Sequence, residues 1–178
     1  FKIDLSKAKT AKLKYDFIKK KFKIIDVLIN CAGVQYVQKI ESFPDNKWEK
    51  ILSINLSSSF YSCKSILPLM KKNKGGRIIN IASVHGQVAS VNKSAYVASK
   101  HGLIGLTKAI ALETATLPIT CNAICPGWVN TPLLSKQIKD NAKKNKSTLK
   151  IAAQHMLKDK QPSLQFISSS SISSLAYY

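Results

Sequence analysis

Apolar side chains recur at helical spacing in three parts of the chain. In the first of them Ala11, Tyr15 and Ile18 fall three or four positions apart, as residues on one helical face do. A start signal, Pro44 followed by Asp45, precedes the second part. The helices predicted in this way cover residues 8–22, 45–70 and 94–115.

Between these helices lie short apolar runs that have the length and composition of buried strands. Turn-forming residues bound the runs, because Gly75 and Gly76 lie at the start of one and Pro126 and Gly127 follow another. The predicted strands cover residues 24–29, 77–82 and 119–124, with the end of a further strand at residues 1–4.

Strands that alternate with helices indicate an α/β fold, here a Rossmann-like, doubly wound parallel sheet with helices on both faces. We expect one partial domain over residues 1–178, recognisable over residues 1–165 and truncated at both ends. An intact fold of this kind begins with a strand, a glycine-rich turn and a helix, and that segment is expected before Phe1. The serine-rich residues 166–178 are either a tail or the start of a truncated helix.

Tyr96 and Lys100 are four residues apart in a predicted helix, so their side chains share one face. An ammonium near a phenol favours the phenolate, and we expect it to lower the pKa of Tyr96 into a range useful for proton transfer. The pair is therefore a candidate acid/base. A lysine-rich chain also produces this spacing by chance on an exposed helix face.

Small and polar residues follow the predicted strands, at the edge where parallel sheets bind ligands. Ser83 ends one strand, and the segment from Asn30 through Ala32 to Gly33 follows another. Asn55 lies inside a predicted helix, where asparagine is mildly unfavourable. Each residue alone has an ordinary structural explanation, such as a strand-end cap, a tight turn or a helix kink. These explanations do not account for the occurrence of all of the residues in this order.

This ordered set resembles the motifs of the classical short-chain dehydrogenase/reductase family: Asn-x-Ala-Gly, a helical asparagine, a serine after a strand, Tyr-x-x-x-Lys and Pro-Gly. The resemblance covers most of the chain and implies hydride transfer between a nicotinamide and a substrate carbinol or carbonyl. It implies that Tyr96 moves the proton, Ser83 holds the substrate oxygen and Lys100 also holds the nicotinamide ribose. The fourth member of this implied catalytic set positions a water: Asn55.

The resemblance further implies NAD as cofactor and a homotetrameric assembly. About half of the cofactor site is expected in this chain, without the glycine-rich turn and the acidic residue that chooses between NAD and NADP, so we expect little activity from these residues alone. The residues implied to line the cofactor are Asp4, Leu5, Asn30, Ala32, Gly33, Tyr96, Lys100, Pro126, Gly127, Val129 and Thr131.

A finer likeness is to a branch of the family that oxidises D-3-hydroxybutyrate to acetoacetate. In that branch the matching residues surround a small carboxylate, for which Lys93 offers charge and His85 a hydrogen-bond donor. Without this likeness, Lys93 would be a solvated loop lysine and His85 a turn residue. Alternatives are a 3-oxoacyl reductase and a catalytically inert fragment. The residues implied to contact substrate are Gln35, Ser83, His85, Lys93, Tyr96, Trp128 and Gln137.

The formal net charge of +19 raises the possibility of nucleic-acid or membrane binding. Arg77 is the only arginine, whereas phosphate and base recognition rely heavily on arginine. We therefore expect the lysines to form a solvated surface. The alternative hypothesis, a basic protein that acts by binding a partner, is supported by the net charge alone. No apolar run approaches the length of a membrane span, and no charged and apolar leader opens the chain at Phe1.

The four cysteines form no CxxC pair, which argues against a zinc site, another metal site or a disulfide framework. They lie among apolar or small residues of predicted elements, and buried free thiols are the simplest interpretation. Such thiols are typical of the reducing cytoplasm, where we expect the protein. The residues are Cys31, Cys63, Cys121 and Cys125.

Overall fold

A computed structural model describes residues 1–158 and 161–177. Two compact units make up the chain, Phe1–Cys125 and Pro126–Tyr178. The first unit contains the sheet, and the second contains three helices.

The sheet of the first unit has three parallel strands in the order β1-β2-β3. The strands are β1 (Val27–Asn30), β2 (Gly76–Ile81) and β3 (Ile119–Ile124). Asn30 is in register with Asn80, and Ile81 is in register with Ile124. The carboxyl ends of all three strands therefore meet at one edge, and the prediction of a parallel α/β sheet is confirmed.

Four helices belong to this unit: α1 (Ala8–Lys21), α2 (Asp45–Leu52), α3 (Ser58–Lys72) and α4 (Ser94–Glu113). Between α2 and α3 the backbone forms a π-helical turn, Ser53–Ser57, so the predicted helix over residues 45–70 is interrupted. Two short 3₁₀ turns, Ile40–Ser42 and Val84–Gly86, lie in the loops after β1 and β2.

The core of the first unit lies where α3 and α4 cover one face of the sheet. Every second residue of β2 is buried, starting from Gly76, whereas Arg77 on the other face is exposed. Val27 and Ile29 of β1 are also exposed. Burial of apolar area here supplies most of the stabilisation. The buried core residues are Cys63, Ile66, Met70, Ile78, Ile110, Ile119 and Cys121.

Two predicted boundaries are wrong. Residues 1–4 form no strand; the Phe1 ring packs instead against Phe17 of α1, with ring centroids 5.4 Å apart. Strand β1 begins at Val27 rather than at Ile24, which is exposed. The physical reason is the same for both, because a strand needs a hydrogen-bonded neighbour and the ladder with β2 begins at Val27.

The second unit contains α5 (Pro132–Lys144), α6 (Leu149–Lys158) and α7 (Ser169–Tyr177). Thr131 caps α5, since its hydroxyl accepts a hydrogen bond from the Leu134 amide at 3.3 Å. Helices α5 and α6 pack against each other. The serine-rich segment forms α7. Among all residues that the structure describes, no helix is long and apolar enough to cross a membrane.

All four cysteines are free thiols. Cys63 and Cys121 are buried as predicted, but Cys31 is exposed, so the prediction of burial is wrong there. Cys31 directly follows β1, the strand whose alternate side chains are exposed. In the described parts of the chain, no three His, Cys, Asp or Glu side chains lie close enough to hold a metal ion.

Candidate active site

The loops that leave β1 and β2 begin side by side at the carboxyl edge of the sheet. After β2, Ser83 is buried and its hydroxyl accepts a hydrogen bond from the His85 amide at 3.2 Å. The Ser83 hydroxyl also lies near the Tyr96 phenol of α4, close enough to lower the pKa of that phenol. The structure thus places two of the predicted catalytic side chains close together.

His85 completes this side of the site. Its ring lies edge-on to the Tyr96 ring, with centroids 5.9 Å apart, and its Nε2 lies 2.9 Å from the Ser90 hydroxyl. Both the ring and the backbone of His85 are therefore fixed next to Tyr96. A histidine held in this way can present a hydrogen bond to a ligand without a large loss of side-chain entropy.

Lys100 lies one helical turn after Tyr96 and is only 3% exposed. Its Nζ donates to the Ile81 carbonyl at 2.7 Å and lies 5.7 Å from the centre of the Tyr96 ring. Burial lowers the pKa of Lys100 to about 8. A buried cation thus stands at the carboxyl end of β2.

The pKa of Tyr96 is raised, which contradicts the expectation from its spacing to Lys100. Burial of the phenol disfavours the phenolate, and the nearby Ser83 hydroxyl offsets this only in part. The Lys100 ammonium donates to the Ile81 carbonyl. Tyr96 is therefore a phenol at neutral pH, the form that donates a proton.

Glycines allow the close packing that brings α4 to this edge. A Cβ on Gly86 would lie 2.8 Å from the Lys100 carbonyl oxygen, so the loop after Ser83 approaches α4 at van der Waals distance. A Cβ on Gly102 would lie 2.8 Å from Leu56 in the π-helical turn. Larger residues at either position would push α4 away from the loops that carry Ser83 and Asn55.

Asn55 lies in the π-helical turn and is fully buried. Its Oδ1 accepts from the Val34 amide at 2.9 Å, and its Nδ2 donates to the Val34 carbonyl at 3.0 Å and to the Ser99 hydroxyl at 3.1 Å. Both amide hydrogens are thus engaged. The side chain clamps the loop after β1, and π-helical turns are frequent at functional sites for such reasons.

The predicted cofactor residue Asn30 belongs to a buried network that crosses the strands. Its Nδ2 donates to the Asn80 Oδ1 at 2.8 Å, and its Oδ1 accepts from the Ser62 hydroxyl at 2.6 Å. Asn80 in turn donates to the Thr107 hydroxyl at 2.9 Å. The side chains of Asn30 and Asn80 together therefore link β1, β2, α3 and α4. Sequence reasoning missed Asn80, although an asparagine inside an otherwise apolar strand was the signal.

Of the predicted substrate residues in the first unit, Lys93 and Gln35 lie on neighbouring loops. The backbone N–H of Gln38 donates to the backbone carbonyl of Asn92 at 2.9 Å, and this bond joins the two loops. Lys93 is 9% exposed, so it is not a solvated loop lysine. Within the described residues the buried Nε2 of Gln35 has no hydrogen-bond partner, which makes it a candidate ligand donor.

Several residues predicted to line the cofactor make local contacts in the structure or lie exposed. The Asp4 carboxylate accepts two hydrogen bonds from Ser6, and these lower the pKa of Asp4. The Leu5 carbonyl accepts from the Ser53 hydroxyl at 2.9 Å, which ties this segment to the π-helical turn. Ala32 and Gly33 are exposed on the loop after β1.

The second unit holds the remaining predicted site residues. Two contacts fix the segment that precedes α5. The Gln161 Oε1 accepts a hydrogen bond from the backbone amide of Trp128 at 2.8 Å and lies so close to Gly127 that a Cβ there would be only 2.7 Å away. A β-bridge also joins Val129 to Ile167. Gln161 was not predicted from the sequence. The predicted residues here are Pro126, Gly127, Trp128, Val129, Thr131 and Gln137, of which Gln137 lies on α5.

The buried Lys100 cation, Ser83 and Tyr96 thus lie together at the carboxyl edge of a parallel α/β sheet. The chain belongs to the short-chain dehydrogenase family, whose model, described as "short chain dehydrogenase", matches residues 1–142.

Named relatives agree with this assignment. The chain is 46% identical over 175 residues to a D-beta-hydroxybutyrate dehydrogenase of Cupriavidus necator, covering 98% of this chain and 68% of the relative. It is 52% identical over 153 residues to the enzyme of the same name from Rhizobium meliloti, covering 86% and 59%. The chain thus spans about two thirds of the length of these relatives.

Solved structures show the same fold. A variant of actinorhodin polyketide ketoreductase, solved with NADPH, superposes with a TM-score of 0.88 at 29% identity, covering 98% of this chain and 67% of that protein. The predicted Rossmann-like architecture is therefore confirmed.

Proposed function

We propose that the protein catalyses the NAD-linked oxidation of D-3-hydroxybutyrate to acetoacetate. The observation that carries the proposal is the proximity of Ser83 to Tyr96 in a site that also holds the buried Lys100 and His85, whose ring lies edge-on to Tyr96. The similarity to two D-beta-hydroxybutyrate dehydrogenases supports this choice of substrate.

The residues at the sheet edge fit a nicotinamide ribose. An ammonium has three N–H donors, and among the described residues one donor of Lys100 goes to the Ile81 carbonyl. A Cβ on Gly33 would lie 3.6 Å from the Lys100 Nζ, so the backbone of this loop runs close to the cation. We infer that Lys100 holds the ribose hydroxyls while Ala32 and Gly33 line the same side. The bound nicotinamide supplies the redox chemistry by accepting a hydride.

The chain's own residues move the proton. Ser83 holds the substrate hydroxyl oxygen by a hydrogen bond, and Tyr96 accepts the hydroxyl proton during oxidation or returns it to the carbonyl oxygen during reduction. The raised pKa of Tyr96 favours the proton donor, so oxidation should gain from alkaline pH, where the phenolate forms. Asn55 contributes by fixing the loop at Val34, because its side-chain amide is engaged there.

The substrate carboxylate is assigned to the side of the site where Lys93, His85 and Gln35 lie. Lys93 offers a cation that is only slightly exposed, and a charge-assisted hydrogen bond is strong in such surroundings. The buried Nε2 of Gln35 gains the partner that it lacks among the described residues if the loop adjusts on binding. Trp128 and Gln137 are proposed as substrate contacts on the family resemblance alone.

Assembly and location complete the proposal. The family resemblance is the ground for proposing a homotetramer, and an apolar groove of about 340 Å³ between α3 and α4, lined by residues that include Phe60, Leu67 and Leu106, is the subunit contact that we propose. A cytoplasmic location is supported by the free thiols.

The proposed substrate is tested with the full-length gene product. We expect kcat/KM for D-3-hydroxybutyrate with NAD to exceed that for the L enantiomer by about tenfold or more, because discrimination rests on placing the hydroxyl between Ser83 and Tyr96. The comparison includes NADP as cofactor and the reduction of a 3-oxoacyl thioester with NADPH. A higher kcat/KM for the thioester would replace this proposal with a 3-oxoacyl reductase.

A further inference from the structure

Ser99 lies between two residues of the proposed site and was not predicted from the sequence. Its side chain is fully buried within α4, one residue before Lys100. The hydroxyl accepts a hydrogen bond from the Asn55 Nδ2 at 3.1 Å and donates one to the Tyr96 carbonyl at 2.8 Å. A single hydroxyl therefore joins the π-helical turn to the helical turn that carries Tyr96.

The chain of hydrogen bonds continues beyond Asn55. The Asn55 amide is bonded to both the N–H and the carbonyl of Val34, at 2.9 and 3.0 Å. Three consecutive links, Val34 to Asn55, Asn55 to Ser99 and Ser99 to the Tyr96 carbonyl, thus connect the loop after β1 to α4. The loop holds Gly33, next to the Lys100 ammonium, and the helix holds the proton-transfer side chain.

We propose that Ser99 is a positioning residue of the oxidoreductase site, which fixes Tyr96 and the loop at Val34 relative to each other. This inference rests on the proposed function for its catalytic consequence. Ser99 is the only hydroxyl to which the Asn55 Nδ2 donates among the described residues. Its removal leaves a buried N–H without that partner, and buried polar networks lose geometry when one member is missing.

A buried serine with a purely local structural role makes different hydrogen bonds from those of Ser99. The Ser58 hydroxyl donates to the Ile54 carbonyl at 2.6 Å, a bond between adjacent turns of continuous helical backbone that reaches no loop or strand. Ser58 is also buried, at 4% exposed. It is therefore a matched control for the loss of a buried serine hydroxyl, and it lies outside the proposed binding and catalytic residues.

The test compares Ser99→Ala, Ser99→Thr and Ser58→Ala in the full-length gene product. Ser99→Ala should lower kcat by about 10- to 100-fold, with KM changed much less, because a small displacement of a proton-transfer group has such effects. Ser99→Thr keeps the hydroxyl and should recover most of kcat. Ser58→Ala should leave kcat unchanged.

A second readout separates positioning from activity. Hydrogen exchange followed by mass spectrometry should show faster exchange of the peptide that contains Val34 in Ser99→Ala, but not in Ser58→Ala. Faster exchange with unchanged kcat would reduce Ser99 to a structural residue and overturn the proposal, as would unchanged exchange in a folded variant. If the wild-type protein shows no turnover, the proposed function fails, and exchange alone decides whether Ser99 holds the loop.

Discussion

Tyr96→Phe should lower kcat by about 10²- to 10⁴-fold, the usual contribution of a positioned acid/base group. The phenylalanine ring can keep the packing against the His85 ring, whose centroid lies 5.9 Å from that of Tyr96. The substitution removes the phenol hydroxyl that lies near Ser83. Only the proton path is lost, so the Kd for NADH should stay within about twofold of wild type. Steady-state turnover and fluorescence titration of NADH measure the two quantities.

Tyr15→Phe is a suitable control for this substitution. Tyr15 lies on α1 and burial raises the pKa of its phenol too, but it lies outside the predicted site residues. Its replacement should leave kcat near the wild-type value. Turnover that survives in Tyr96→Phe, or an equal loss in both variants, would remove Tyr96 from the proton path.

Lys93→Ala should raise KM for D-3-hydroxybutyrate by about 10- to 100-fold, since a hydrogen bond to a charged group contributes roughly 1.5–3 kcal/mol. The same variant should change KM for an uncharged secondary alcohol such as 2-butanol far less, because that substrate has no carboxylate. Lys93 is 9% exposed, so the effect should persist at moderate salt concentration.

The control for Lys93 is Lys39→Ala, which removes a solvated loop lysine whose side chain lies 3.9 Å from Glu41. It should leave both KM values unchanged, because pairs of exposed charges contribute little. Equal effects of Lys93→Ala on both substrates would show that Lys93 shapes the loop rather than binding the carboxylate.

The main elements of the first unit were predictable because their hydrophobic patterns are long or sharply bounded. Strand β3 was predicted at its observed limits, where Pro126 and Gly127 end an apolar run. The short strand β1 was placed too early, since Ile24 is apolar and yet exposed. Sequence alone does not show which apolar residue has a neighbouring strand to pair with.

Candidate site residues were predictable where a motif spans neighbouring turns or follows a strand. The contact between Ser83 and Tyr96 agrees with that expectation. The sign of the pKa shift at Tyr96 was not predictable, because it depends on the burial of the phenol, which residue spacing does not show. Side-chain networks such as Asn30 with Asn80 also depend on strand register, which spacing does not reveal.

The interruption of the helix at Asn55 was equally hidden. An asparagine in a helical pattern indicates a special position, but the pattern does not reveal the bond of its side chain to Val34 in another loop, which accompanies the π-helical turn. Tertiary contacts of this kind override local helix preference.

Transfer of deuterium is the most direct test of the central claim, that this site carries out hydride transfer coupled to a proton shift at Tyr96. The full-length gene product is incubated with NAD and D-3-hydroxybutyrate that carries deuterium at C3, and the NADH is analysed by mass spectrometry and NMR. We predict deuterium at C4 of the nicotinamide, formed by the wild type and nearly absent with Tyr96→Phe. Acetoacetate formed without deuterium in NADH, or no NADH at all, would contradict the claim.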